Sequence, residues 1–298
     1  MLVENELNKL NTLIISTLKD NSNNISDNIL DYLTAKSKKL RPMLLFLFCK
    51  SLNIEITEEI YSLASAVELV HNSTLIHDDI IDEADTRRGR ISLNAELGNG
   101  LSVLAGDILL ASALLQLTKC KNIDTVNTFA QSLYNMCKGE INQNFTIGKI
   151  LTMDDYIKKS EYKTAELFKA PLLSLCYLKD ISEKDNIKNF AMNFGIAFQI
   201  KDDLLNIINT DTSKPVLSDI ENGIYTAPVI YLNDEKNIEE LRKEEIIELV
   251  QNKQYVNKTT ELIKYYALKA ISNIDFIQNN EYKQEIINIT ENLYRTGI

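Results

Sequence analysis

The stretch SLASAVELVHNSTLIHDDIIDEADTRRG, residues 62–89, decides the fold of this chain. It predicts one long helix over residues 56–82, because the members of a single stripe recur at spacings of three and four: Leu63, Val67, Val70, Thr74, Asp78 and Ile81. The stripe changes from apolar to acidic at its C-terminal end. Since a helix in a structural core does not normally end its inner stripe in carboxylates, we expect this helix to line a cavity that is apolar below and charged above.

Three carboxylates and two guanidinium groups end the same stretch. Asp78 and Asp82 are four residues apart, so they share one helix face, and Asp79 lies to one side. Carboxylates this close repel one another unless a divalent cation such as magnesium neutralises them. Arg87 and Arg88 follow, and arginine forks bind anions that carry several oxygens. The pattern therefore predicts a diphosphate held by magnesium and arginine.

A second acidic cluster, far downstream, strengthens this prediction. Asp202 lies in the stretch FQIKDDLLN, residues 198–206, and is followed by another aspartate. The helix predicted over residues 185–208 repeats the first pattern, since the apolar Phe190 and Phe194 lead into Asp202. Two such helices facing each other would place carboxylates on both sides of one diphosphate.

The composition favours one all-α domain that spans residues 1–298. The chain has only 9 Gly and 4 Pro, and so few helix breakers predict a mostly helical protein. A net charge of −10 argues against nonspecific nucleic-acid binding. The four cysteines show no metal-ligand spacing, which predicts reduced thiols in a cytoplasmic protein. The apolar run 43–48 is far shorter than the roughly 20 residues that span a bilayer, so we expect no integral membrane segment.

An ordered set of motifs resembles the trans-isoprenyl diphosphate synthases, also called the polyprenyl synthetase family. The motifs are Lys38-Lys39-Leu40-Arg41-Pro42, His77-Asp78-Asp79-x-x-Asp82, Asp85-x-Arg87-Arg88-Gly89, Gly106-Asp107-x-Leu109, Lys163-Thr164-Ala165, Phe198-Gln199-x-x-Asp202-Asp203 and Gly223-x-x-Thr226-x-Pro228. The resemblance implies the isoprenoid synthase type I fold, an antiparallel helical bundle around a deep central cavity, usually as a homodimer. It also implies head-to-tail condensation of isopentenyl diphosphate with an allylic diphosphate.

The same resemblance assigns roles to the acidic and arginine motifs. Asp78, Asp82 and Asp202 would bind up to three magnesium ions that hold the allylic diphosphate. Arg87 would bind the allylic diphosphate, and Arg88 would bind the homoallylic one.

Other residues match family positions that hold the substrates without a metal. Lys38, Arg41 and His71 would bind isopentenyl diphosphate. The matches to positions that contact the allylic diphosphate, or stabilise the cation formed from it, are Lys163, Thr164, Gln199 and Lys214.

Two small residues before the first acidic motif predict the length of the product. Ser73 and Thr74 lie five and four residues before Asp78, where bulky aromatic residues in the family stop chain growth early. Small side chains leave the pocket open below this level. We therefore expect a product of C20 or longer.

Four positions depart from the family pattern. Asn206 replaces an aspartate, Ile224 replaces a lysine, and Lys36 and Ser37 stand where two glycines are usual. These departures leave open a noncatalytic regulatory subunit of a heteromeric prenyl synthase. A class I terpene cyclase is a further alternative that shares the fold and the first motif, but Asn206 and Thr210 do not fit its second motif.

Overall fold

A computed structural model describes residues 2–19, 29–30, 38–87, 89–208 and 218–295. Helices make up most of the described chain, and one short hairpin supplies its strands. The all-α class predicted from the scarcity of glycine and proline is therefore confirmed. The described residues form two compact units. The first unit contains Met1–Phe129, Ala170–Ser182 and Asn280–Lys283, and the second contains Ala130–Lys169, Glu183–Asn279 and Gln284–Ile298.

The first unit is built around a long central helix. Its elements, in chain order, are α1 (Glu4–Lys19), α2 (Leu40–Ser51), α3 (Glu58–Ile81), β1 (Thr86–Arg87), β2 (Arg90–Ile91), α4 (Leu93–Leu97), α5 (Asn99–Lys119) and the beginning of α6 (Ile123–Thr146). Nearly every residue from Ile60 to Val70 of α3 is buried. The predicted helix 56–82 thus forms within two residues of its expected ends, with neighbours on all sides over its first half.

Helix α3 packs closely against α5 because α5 carries a glycine at the crossing. A Cβ built on Gly106 would lie only 2.2 Å from Nε2 of His77. The hydroxyl of Ser73 donates a hydrogen bond to the carbonyl oxygen of Gly106 at 2.8 Å. The absence of a side chain at position 106 therefore lets the two helices approach to hydrogen-bonding distance.

The second unit contains most of α6 and the helices that follow it. These are α7 (Met153–Ser160), a π-helical turn (Glu161–Ala165), the start of α8 (Glu166–Leu178), α9 (Lys184–Ile208), α10 (Ser218–Glu221), α11 (Ala227–Asn233), a 3₁₀ turn (Ile238–Glu240), α12 (Lys243–Val250), α13 (Lys253–Ser272) and α14 (Glu281–Arg295). The sequence predicts one helix over residues 154–178, and this prediction is wrong at its centre, where the π-helical turn interrupts the α-helical hydrogen bonding.

Aromatic contacts fix the position of the C-terminal half of α9. The ring of Phe194 lies 5.0 Å from that of Phe168 in an edge-to-face arrangement and 5.8 Å from that of Phe190. A Cβ on Gly195 would lie 2.4 Å from Cα of Ala165, so α9 approaches the backbone of the π-helical turn directly. This contact brings the residues after Gly195 next to those of the turn.

Helix α5 is only partly buried. The sequence predicts a buried helix over residues 99–118, but one apolar stripe faces outward and is 40–60% exposed: Leu101, Leu104, Ile108 and Leu115. By length and composition alone, α5 is the one helix in the described ranges that could cross a membrane. The same test is passed by core helices of soluble proteins, and the other face of α5 packs on α3.

Candidate active site

The first acidic motif forms the last turn of α3 in the first unit. The backbone N–H of Asp82 donates to the carbonyl oxygen of Asp78 at 2.8 Å, so helical geometry continues through the motif. The spacing of four places both carboxylates on one face. Asp78 is half-buried and Asp82 is exposed. A pair of carboxylates thus faces solvent at the end of a buried apolar helix.

The side chain of Asp79 has a different role from those of Asp78 and Asp82. Its side chain is 2% exposed, and its Oδ1 accepts bonds from Nε of Arg87 at 2.7 Å and from Nη2 at 2.5 Å. Arg87 stands on β1, opposite Arg90 of β2, and Gly89 has a φ of +75° in the turn between them. The buried carboxylate therefore fixes the guanidinium beside the first acidic motif. The sequence shows Asp79 only as a residue lying to one side, so this role was missed.

The predicted isopentenyl diphosphate residues lie at the start of α2 and in the middle of α3. Nη1 of Arg41 is 3.5 Å from Nε2 of His71, so the structure brings these two together. Lys39 forms a buried ion pair with Glu68 at 3.3 Å, which holds the backbone next to the exposed side chain of Lys38. Arg88 lies outside the described residues.

Both predicted chain-length residues have hydrogen-bonded hydroxyls. Ser73 is buried against Gly106, and Oγ1 of Thr74 donates to the carbonyl oxygen of His71 at 2.8 Å. Ser73 therefore lies at the crossing of α3 and α5, where a larger side chain would meet the backbone of α5.

In the second unit, one chain of hydrogen bonds holds the second acidic motif. Oγ1 of Thr164 donates to Oε1 of Gln199, and Nε2 of Gln199 donates to Oδ1 of Asp203 at 2.7 Å. The hydroxyl of Tyr156 donates to Oδ2 of the same carboxylate at 2.6 Å. Both oxygens of Asp203 are thus engaged inside the unit, whereas Asp202 is exposed. The structure gives the adjacent aspartates different environments and leaves Asp202 as the metal candidate.

Burial is the main cause of the pKa shifts in this network. Desolvation raises the pKa of Asp203, and the bonds from Tyr156 and Gln199 partly oppose that rise. Burial also raises the pKa of Tyr156 well above its ordinary value, and the neighbouring Asp203 carboxylate raises it further. Tyr156 is therefore a protonated donor at neutral pH. No sequence motif used above contains Tyr156, and its position two turns before Lys163 is the one sequence signal that points to it.

A small cavity of about 40 Å³ opens beside this network. Its walls include the predicted residues Lys163 and Gln199, together with Lys159, Asp219 and Ile224. Nζ of Lys163 lies 3.4 Å from Oε1 of Gln143, within hydrogen-bonding distance, and 3.7 Å from Oε2 of Glu140. Lys214 lies outside the described residues.

The carboxylates fit a magnesium ion by their chemistry. Within the described ranges, no three or more His, Cys, Asp or Glu side chains converge on one point as a complete protein ligand set. Magnesium does not need such a set, because it commonly takes one or two carboxylates and completes its octahedron with waters and substrate phosphates. Asp78 and Asp82 are hard oxygen donors on one helix face, and this pair suits such a mode of binding.

Comparison with known proteins settles the family. A sequence profile for polyprenyl synthetase matches residues 23–266. The chain belongs to the polyprenyl synthetase family. One relative in this family is solanesyl diphosphate synthase 2, chloroplastic, of Arabidopsis thaliana. It is 30% identical over 304 residues, an alignment that covers 95% of this chain and 73% of the relative.

Solved structures of other polyprenyl synthetases share the fold. Heptaprenyl diphosphate synthase from Staphylococcus aureus gives a TM-score of 0.90 at 26% identity and covers 98% of both chains. Polyprenyl synthase from Caulobacter crescentus CB15, complexed with calcium and isoprenyl diphosphate, gives 0.90 at 24% identity. That second likeness covers 99% of this chain and 96% of the other, and it shows the fold alone. The chain is thus an all-α prenyltransferase with the type I fold.

Proposed function

We propose that this enzyme condenses isopentenyl diphosphate head-to-tail with an allylic diphosphate in a magnesium-dependent reaction. The allylic C–O bond breaks, a C–C bond forms to the alkene of isopentenyl diphosphate, and the released diphosphate takes the proton that is then lost. One observation carries the proposal: Asp78 and Asp82 share the end of α3 with a guanidinium, Arg87, that the buried Asp79 fixes in place.

The first unit supplies residues for both substrates. Asp78 and Asp82 hold the magnesium ions of the allylic diphosphate, and Arg87 binds its remaining oxygens. Arg41 and His71, which are 3.5 Å apart, bind isopentenyl diphosphate together with Lys38. We assign Arg88 to the same substrate on the family pattern alone. Isopentenyl diphosphate must keep its C–O bond during the reaction. Cationic side chains without a metal suit it, because they bind its diphosphate without activating it as a leaving group.

The second unit supplies the groups that stabilise the leaving diphosphate. Asp202 binds magnesium, which when bound neutralises negative charge as the diphosphate departs. The amines of Lys163 and Lys214 bind the diphosphate oxygens. Thr164 orients the amide of Gln199, which lines the same cavity as Lys163. Asp203 holds Gln199 from the other side and does not itself bind the metal.

We propose a product of C20 or longer. The supporting observation is that the small side chain of Ser73 lies at the crossing of α3 and α5, with Thr74 beside it. Neither residue closes the floor below Asp78 as a bulky aromatic would. The names of the solanesyl and heptaprenyl synthases among the similar proteins denote long prenyl chains, which agrees with this proposal.

We also propose a homodimer that forms through α5. Exposed apolar residues at i, i+3, i+7 and i+14 make a stripe that a second copy of the chain would cover: Leu101, Leu104, Ile108 and Leu115. Exposed apolar stripes of this extent mark association surfaces. The family match includes segments of both compact units, which supports a chain that works as one domain. We further propose that the protein is cytoplasmic, since its cysteines are free thiols.

The direct test is turnover by the purified protein alone. The protein is incubated with isopentenyl diphosphate, magnesium and each of dimethylallyl, geranyl, farnesyl and geranylgeranyl diphosphate, and product length is read by mass spectrometry. We expect elongated diphosphates of at least C20 that disappear when magnesium is chelated. Absence of elongation with every primer would contradict the proposal and favour a noncatalytic subunit.

A further inference from the structure

Lys159 is a cavity residue to which neither the motifs nor the proposed reaction gives a role. It lies in the last turn of α7, four residues before Lys163, and the π-helical turn begins just after it. Both lysines line the same small cavity. Lys158, the next residue back, is exposed. The chain therefore turns one of two adjacent lysines inward, toward the cavity that holds Lys163 and Gln199.

The side chain of Lys159 is half-buried. Burial lowers its pKa, and the carboxylate of Asp203 opposes that effect from a distance. Asp203 does not form an ion pair with Lys159, and its carboxylate instead accepts bonds from Tyr156 and Gln199. Among the described residues, none accepts a hydrogen bond from Lys159 or forms an ion pair with it. Burying a cation in this way is unfavourable unless a ligand supplies anionic oxygens.

Ile224 lines the same cavity and stands where the motif Gly-Lys-x-Thr-x-Pro has its lysine. The loop around it is fixed by a bond from the N–H of Ile224 to the carbonyl oxygen of Asp219 at 2.7 Å. Ile224 thus contributes an aliphatic side chain to the cavity where the motif has a lysine, and Lys159 contributes an additional ammonium group.

We propose that Lys159 is a further diphosphate-binding residue of this chain, and that it supplies the positive charge absent at Ile224. The inference rests on the proposed function, because it assumes that the cavity receives the allylic diphosphate. Lys159 and Lys163 then bind diphosphate oxygens from successive turns of one helical segment. The ligand class is a polyoxyanion, which inorganic pyrophosphate represents without the prenyl tail.

The proposal is tested by removing the ammonium group at position 159 and by placing one at position 224. We expect Lys159→Met to lower kcat/KM for the allylic diphosphate by roughly ten- to a hundredfold, the usual effect of losing a bond to a charged group. We expect the double variant Lys159→Met with Ile224→Lys to recover most of that loss. Lys158→Met is the matched control and should leave kcat/KM unchanged. Lys159→Arg, which keeps the charge, should retain more activity than Lys159→Met.

Binding of inorganic pyrophosphate, measured by calorimetry on the same variants, provides a readout independent of turnover. We expect weaker binding by Lys159→Met and recovery in the double variant. Wild-type affinity and kinetics in Lys159→Met, or a folded double variant without recovery, would overturn the role of Lys159. Failure of the wild type to elongate any primer would instead overturn the proposed function, and the pyrophosphate measurement would still decide whether Lys159 binds the anion. Melting temperatures of all variants identify any loss caused by misfolding.

Discussion

At the scale of single residues, the proposed metal-binding role of the paired carboxylates on α3 can be tested by substitution. Asp82→Asn keeps the shape of the side chain but removes its charge, so magnesium should bind the substrate complex more weakly. We expect kcat to fall by roughly a hundredfold or more, about 2.7 kcal/mol of transition-state stabilisation. Titration of magnesium should show a higher half-saturating concentration. Glu96→Gln, at an exposed acidic position on α4, is the control, and equal losses in both variants would contradict the assignment.

Tyr156 should control stability in a pH-dependent way. Tyr156→Phe removes one donor to Asp203, whose pKa burial already raises, so the pKa should rise further. A raised pKa in the folded state means that stability is lost as pH rises through that value. The variant should therefore match wild type at low pH and lose about 1–3 kcal/mol of unfolding free energy at neutral pH. Urea unfolding across the pH range measures this difference, and a constant difference would contradict it.

Product length should respond to the size of residue 73. In Ser73→Phe, the aromatic ring would not fit against the backbone of α5 at Gly106, so it would have to turn toward the space below Asp78 that we propose as the floor of the pocket. We expect a shift to shorter products by mass spectrometry, with turnover of the short primers retained. Thr74→Ser is the small-residue control and should leave the length unchanged. A full-length product from a folded Ser73→Phe enzyme would show that the pocket runs elsewhere.

At the scale of elements, the close contact of α3 with α5 depends on one missing side chain. A methyl group at Gly106 would meet the ring of His77 at 2.2 Å, so Gly106→Ala should displace that ring from its contact with α5 or push the helices apart. We expect a loss of about 1–3 kcal/mol in unfolding free energy, despite the higher helix propensity of alanine. Gly100→Ala lies on the same helix with nothing within 4 Å and should be neutral or slightly stabilising. Chemical denaturation of both variants makes the comparison.

The elements also show where sequence reasoning succeeds and where it stops. The helix ending in Asp82 was predicted closely because an apolar stripe that turns acidic is a local pattern. The π-helical turn was not, since Glu161–Ala165 has no composition that distinguishes it from an α-helix. Asp79 and Tyr156 were missed for a related reason. Their partners, Arg87 and Asp203, are identified only when a hairpin or a second helix brings the side chains together.

At the scale of the whole molecule, we predict that the outward stripe of α5 mediates the proposed dimerisation. Leu104→Asp combined with Ile108→Asp puts two charges on that stripe, and a second copy of the chain would have to bury them. We expect a protein of dimer mass to become monomeric in light scattering at the same concentration. Lys119→Glu, at the exposed end of α5, should remain dimeric. A wild type that is already monomeric would contradict the proposed interface.

The π-helical turn makes this segment sensitive to the deletion of a single residue. Such a turn contains about one residue more than an α-helical turn, so deleting a single residue within Glu161–Ala165 would restore continuous α-helix from Met153 to Leu178. Every residue upstream would then rotate by about 100° relative to those downstream. Lys159 and Tyr156 would leave the cavity together. A single in-frame codon deletion would therefore be expected to replace the π-helical turn with regular α-helix and to remove these two side chains from the cavity.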